Sequence, residues 1–119
     1  MAFSDPQSIT VNAVAQSLAR GPNRDATTST YNKDDGSYTL LIGNQLRSTR
    51  NRFTVRVDHT KLTTDPFVSA NNIRVSSSVY LVLDVPILGY TNAEIKDIAL
   101  GLTGWSNSTN LLKVLGKEI

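Results

Sequence analysis

Few side chains in this 119-residue sequence are spaced to make or break covalent bonds. Cysteine is absent, so thiol catalysis, disulfides and thiolate metal sites are excluded. His59 is the only histidine, and one imidazole cannot build a histidine metal cluster. It follows Asp58, but no serine elbow or cysteine accompanies the pair, and a surface histidine at a strand end accounts for it. Asp34-Asp35 would suit paired carboxylates, yet Gly36 follows directly and turn chemistry explains both acids. No acid–base constellation can be assembled, which argues against an enzyme, and no cofactor is implied. What remains is cationic. Arg47, Arg50, Arg52, Arg56 and Lys61 stand against Asp58 alone, a local charge of +4 on a chain whose total is +2. Such a patch is a candidate polyanion contact; the alternative is a solvated hairpin tip.

The chain that must position these cations is of one-domain size, read as a single domain over residues 1–119. Hydrophobic residues make up 39% and charged residues 18%, a globular but weakly charged composition. Ser, Thr and Asn number 35, which favours turns and strand surfaces. No run of about 18 apolar residues is present to form a transmembrane helix. The opening residues lack the basic and apolar regions of a secretory signal.

The first two-thirds read as strands. Ile9, Val11 and Ala13 alternate with polar residues, predicting a hairpin from Ser8 to Arg20 that turns at Asn12-Ala13 and is broken by Gly21-Pro22-Asn23. Thr27–Tyr31 suits a strand, and Lys33-Asp34-Asp35-Gly36 is a turn. Ser37–Gln45 follows with Tyr38, Leu40 and Ile42 on one face, and Leu46–Asn51 is a basic hairpin loop. Arg52–Asp58 alternates strictly: Phe53, Val55 and Val57 point one way, Arg52, Thr54, Arg56 and Asp58 the other. Thr63–Asn72 reads as a long loop. Ile73–Val85 closes the series, with a break expected around Ser76–Ser78. In it Val79, Leu81, Leu83 and Val85 oppose Ser78, Tyr80, Val82 and Asp84.

After Pro86 the period changes from 2 to 3.6. Thr91 and Glu94 fit a capping box, and Ile95, Ile98, Ala99 and Leu102 form one stripe before Gly104 stops the helix. Ser108 caps a second helix with Leu111, Leu112 and Leu115 on its apolar face and Gly116 as its exit. Asn107-Ser108-Thr109 is a formal glycosylation sequon that serves better as helix entry. Trp105 is an apolar anchor in preference to a base platform. Strands then helices define an α+β fold with one antiparallel sheet. Two short helices are little cover for a five-stranded sheet, so a symmetric dimer is expected, each chain's helices lying over its partner's sheet. Ile95, Ile98, Leu102, Trp105, Leu111, Leu112 and Leu115 are its candidate interface.

Taken in order, the hairpin around Ile9–Asn12, the strand pair around Asn44-Gln45 and Arg50–Asp58, Tyr80–Pro86 running into Gly89-Tyr90-Thr91, and two closing helices resemble the coat proteins of single-stranded-RNA bacteriophages, the leviviruses. That resemblance implies an N-terminal hairpin, a five-stranded antiparallel sheet and two helices. It further implies a homodimer with a ten-stranded sheet and interlocked helices, and an icosahedral shell packaging single-stranded viral RNA. Location in the virion, assembly in the bacterial cytoplasm and no membrane partner follow from it. The inner sheet face would also bind an RNA stem-loop and repress translation. The family's RNA face carries over to Thr54 and Arg56 with Ser78 and Tyr80. Arg56 would neutralise phosphate or pair with Asp58 or Asp84, and Tyr80 would stack on a base or pack across strands. Arg50, Arg52 and Asn44 complete the candidate RNA contacts. Asn44 and Gln45 depend on register: the family keeps small polar residues outward here, and a bulge at Gly43 would be needed if Leu40 and Ile42 fell on that side. The competing function is a small dimeric cellular nucleic-acid-binding module that forms no shell.

Overall fold

The computed structural model describes residues 3–21 and 27–118. Six strands, β1 (Gln7–Val11), β2 (Val14–Arg20), β3 (Thr28–Asn32), β4 (Tyr38–Leu46), β5 (Arg50–Thr64) and β6 (Asn72–Pro86), precede α1 (Asn92–Trp105) and α2 (Ser108–Leu115). The strands form one antiparallel meander in sequence order. The expected break at Gly21 reaches into Pro22 and Asn23, which lie outside the described residues.

Turn chemistry sets the register. Asn12 and Ala13 both take positive φ, 51° and 64°, the pair of left-handed residues that a two-residue hairpin loop needs to match strand twist. Gly36 does the same at φ 76° between β3 and β4. There the Asp35 carboxylate accepts from the Ser37 hydroxyl and N–H at 2.7 and 2.9 Å, which holds its pKa below the ordinary range. The basic hairpin loop is only residues 47–49, because Leu46 already pairs with Asn51.

Three expectations about the sheet need correction. β6 runs unbroken through Ser76–Ser78, since these serines pair in register with Thr60, His59 and Asp58. β5 extends past Asp58 to Thr64, so the long loop shrinks to residues 65–71, where the Asp65 carboxylate accepts from the Phe67 N–H at 2.8 Å. The N-terminal hairpin is not separate: Ala19 pairs with Asn32 and Arg20 with Tyr31, giving six strands instead of a hairpin and five. Arg20 secures that junction, donating to the Tyr31 hydroxyl at 2.8 Å and to the Phe3 carbonyl at 3.2 Å.

The helices also shift slightly. Thr91 caps α1 as expected, its hydroxyl accepting from the Glu94 N–H at 3.2 Å. Gly104 does not stop α1, which runs to Trp105 and ends where Ser106 returns to the Leu102 carbonyl. Asn107, not Ser108, caps α2, accepting from the Asn110 N–H at 3.0 Å; both residue types cap well, and Asn107 takes the position. Gly116 is the exit.

The apolar face of the sheet is covered in only one half. Leu18, Tyr31 and Leu40 are buried there, ringed by Ile9, Tyr38, Ile42, Val55 and Val57, so the N-terminal hairpin seals β3 to β5. Over the other half α1 leans chiefly on β6, leaving a cleft of about 520 Å³ lined by Phe53, Leu81, Leu83, Val85, Ile95 and Ala99 among others. No residue of either helix is buried. The radius of gyration is 17.3 Å, against about 13–14 Å for a compact domain of this length.

Candidate nucleic-acid interface

The opposite face gathers the polar positions in rows. Thr28, Gly43, Thr54 and Val82 lie side by side across β3 to β6; Thr30, Leu41, Arg56 and Tyr80 form the next row; Asn32, Thr39, Asp58 and Ser78 the third. Strict alternation along β5 puts its whole even-numbered set on this side. Between the rows is a hollow of about 340 Å³ lined by Asn44, Arg52, Thr54, Arg56 and Tyr80, five of the seven candidate RNA contacts, over a floor of Leu41, Gly43 and Val82. Ser78 adjoins it through Arg56.

β4 pairs with β5 in one constant register from Tyr38–His59 to Leu46–Asn51, so there is no bulge at Gly43. Leu40 and Ile42 therefore share the apolar face with Val57 and Val55. Asn44 sits opposite Phe53 on that same face, which settles the register that the sequence left open, and it borders the hollow where β4 outruns β3. Gln45, opposite Arg52, has the polar-face position. Leu41, Gly43 and Val82 are floor residues that attention to charge missed. The alternation that placed Thr54 and Arg56 carried the signal for them as well.

The arginines divide into paired and unpaired. Arg56 Nε donates to Asp58 Oδ1 at 2.6 Å and its terminal nitrogen to Ser78 Oγ at 3.3 Å, while the Ser78 hydroxyl donates to the same Asp58 oxygen at 2.6 Å. The guanidinium carbon stands 4.9 Å from the centroid of the Tyr80 ring, a cation–π distance. The hydrogen bond it donates to Asp58 raises the Arg56 pKa above its ordinary value, against a smaller opposing effect of desolvation. Arg50 pairs with Asp84 at 2.9 Å, both half-exposed. Arg52 lines the hollow and makes no ion pair among the described residues. Lys61 stands nine residues along β5 from Arg52, roughly 30 Å away at strand spacing. The basic patch is thus two arginines in ion pairs, two at one end without an ion pair among the described residues (Arg52, and Arg47, which donates to Gln45 at 3.5 Å), and a remote lysine. Tyr80 is 56% exposed, so its ring is open to a ligand.

His59 stacks on Tyr38 at 4.4 Å between centroids, and its Nδ1 lies 3.1 Å from the Ser37 carbonyl. Register puts it on the face opposite Asp58, so the two do not form a pair. The candidate interface residues sort by orientation. Ile95 and Ala99 are half-buried toward their own β6, whereas Ile98, Leu102, Trp105, Leu111, Leu112 and Leu115 are all exposed.

No protein-family model matches the chain, and no curated protein matches it in sequence. Solved structures do match over nearly the whole length. The virus-like particle of bacteriophage AVE019 superposes with a TM-score of 0.80 at 11% identity, covering 95% of this chain and 94% of that one. The virus-like particle of bacteriophage NT-214 gives 0.70 at 14% identity, covering 98% and 97%. The bacteriophage GA capsid protein gives 0.59 at 13% identity, covering 95% of each. A curled antiparallel sheet followed by two helices is the architecture they share with this chain. The fold is that of the levivirus-like, single-stranded-RNA phage coat proteins, as the resemblance in sequence implied.

Proposed function

We propose that this chain is a phage coat protein that pairs into homodimers, assembles an icosahedral shell around single-stranded RNA and reads an RNA stem-loop on the hollow as a translational repressor. The carrying observation is the unfinished apolar face: among the described residues half the sheet is covered only in part, by α1, and nearly all the apolar surface of both helices is uncovered. Each exposed Leu or Ile gains about 1.5–3 kcal/mol on full burial, so a second copy is the economical cover. β6 adds a fifteen-residue free sheet edge, a template for pairing with another strand. Two copies joined there would run their sheets into one continuous dimer sheet. The helices then cross onto the partner's apolar half, with Ile98, Leu102, Trp105, Leu111, Leu112 and Leu115 in the seam and Ile95 holding α1 to its own strand.

The polar face stays free for RNA. Thr54 offers a hydroxyl and Ser78 its remaining lone pair to base edges, Tyr80 offers a ring, and Arg52 and Arg47, without ion-pair partners among the described residues, offer charge for phosphate. A shell in the virion, formed in the bacterial cytoplasm, follows from this reading, which needs no catalytic group or cofactor. Size-exclusion chromatography with light scattering and the ratio of absorbance at the nucleic-acid and protein maxima tests it. The expected result is a particle of megadalton size rich in RNA. A free dimer that binds RNA without ever forming a larger species would instead make this a small nucleic-acid-binding module.

A further inference from the structure

The Arg56 side chain is where charge and geometry disagree. As the central cation of the hollow it invites a phosphate, yet Asp58 takes its Nε at 2.6 Å and balances its charge. Asp58 is only 25% exposed and also accepts from Ser78, so the carboxylate is fixed by two strands at once. The guanidinium is thereby held beside the Tyr80 ring, its register partner on β6. Arg52, four residues away on the same face, has the opposite situation: exposed, without an ion-pair partner among the described residues, and on the rim of the same hollow. Asp84 sits across from Arg52 in register but spends its carboxylate on Arg50.

We propose that Asp58 is a positioning residue that converts Arg56 from a phosphate contact into half of a base-stacking platform with Tyr80, leaving Arg52 as the phosphate anchor of the hollow. This rests on the reading of the hollow as an RNA site and assigns its labour. A charge-balanced guanidinium still has a planar face that stacks on a base. It adds no net attraction for a polyanion, so base contact and phosphate contact become separable properties of separate residues.

Two single-stranded probes of equal length separate them: oligo(A), and an abasic strand with the same phosphates and no bases. Their affinity ratio reads base contact; the slope of log affinity against log salt reads phosphates, about 0.7 per contact for single strands. Wild-type protein is expected to favour oligo(A), and Tyr80→Ala to remove about tenfold of that preference with the slope unchanged. Arg52→Gln should lower the slope by about 0.7 and keep the preference. Asp58→Asn, which frees one cation, should steepen the slope by about 0.7 on both probes and reduce the preference, and Asp58→Glu should restore the wild-type slope. The double variant Arg56→Gln with Asp58→Asn should keep the wild-type slope and lose the preference. A double variant whose slope drops by one contact would make Arg56 the phosphate ligand and overturn the assignment. So would an Asp58→Asn protein with wild-type slope and preference, while Tyr80→Ala still acts. If wild type bound both probes equally and Tyr80→Ala changed nothing, the RNA reading of the hollow would fail, and the assignment with it.

Discussion

Tyr80 and Arg56 carry different consequences although they are register partners on adjacent strands. The tyrosine ring is half-exposed and in contact with the arginine, so truncation removes stacking surface without opening a buried cavity. Tyr80→Ala should weaken binding of the preferred RNA stem-loop by about 1–3 kcal/mol in a filter-binding assay and leave particle formation intact. Equal affinity of wild type and variant for every stem-loop tested would remove the repressor assignment. A second single-residue effect lies far from the hollow. Ala13 holds φ at 64° in the β1–β2 turn, where an L side chain costs about 1–2 kcal/mol. Ala13→Gly should therefore raise the melting temperature of the assembled protein by a few degrees, after subtraction of the added flexibility of glycine in the unfolded chain. A fall in melting temperature would mean that the turn is not the strained element it is taken to be.

β5 and β6 outrun β4, and the two-stranded ribbon they form ends in the loop 65–71, with Phe67 93% exposed at its tip. Few ladder bonds hold that loop, so it is the segment best able to adapt to different neighbours. Deleting Val68–Asn71 should spare the dimer on size-exclusion chromatography and block or alter the shell; wild-type particles from the deletion would argue otherwise. These elements also mark how far pattern reading reaches. Period 2 in Arg52–Asp58 and Tyr80–Val85 sorted the faces correctly, because alternation is a local property of a strand. The serines at 76–78 looked like a break because their propensity is for turns, but pairing with β5 decided the matter. Gly104 looked like a stop, and the roughly 1 kcal/mol that it costs inside a helix was tolerated. The side taken by Asn44 was open because register against β5, not composition, sets its face. Which acid holds Arg56 was open between Asp58 and Asp84 for the same reason: ion pairing is a three-dimensional choice.

The proposed function gives the two sheet faces two different tasks. One face is half covered by the N-terminal hairpin and half left to apolar helices that do not bury themselves; the other is polar, hollowed and cationic at one end. On the proposed reading a second copy covers this apolar surface, which couples association to folding. Ile98→Asp tests the seam, since Ile98 is 63% exposed in the single chain and its loss costs that chain little. In the dimer the buried charge should cost several kcal/mol and abolish assembly, read by light scattering. A variant that assembled normally would show that the helices are not the seam.

Cryo-electron microscopy of particles purified from bacteria expressing the chain, at a resolution that separates strands, addresses the division of faces most directly. The account predicts a closed icosahedral shell in which β6 edges pair across twofold axes, the helices lie on the outer surface, and RNA density meets the hollow of Thr54, Arg56 and Tyr80 from inside. A shell with the hollow turned outward and free of RNA, or a soluble dimer that never closes into a shell, would contradict it.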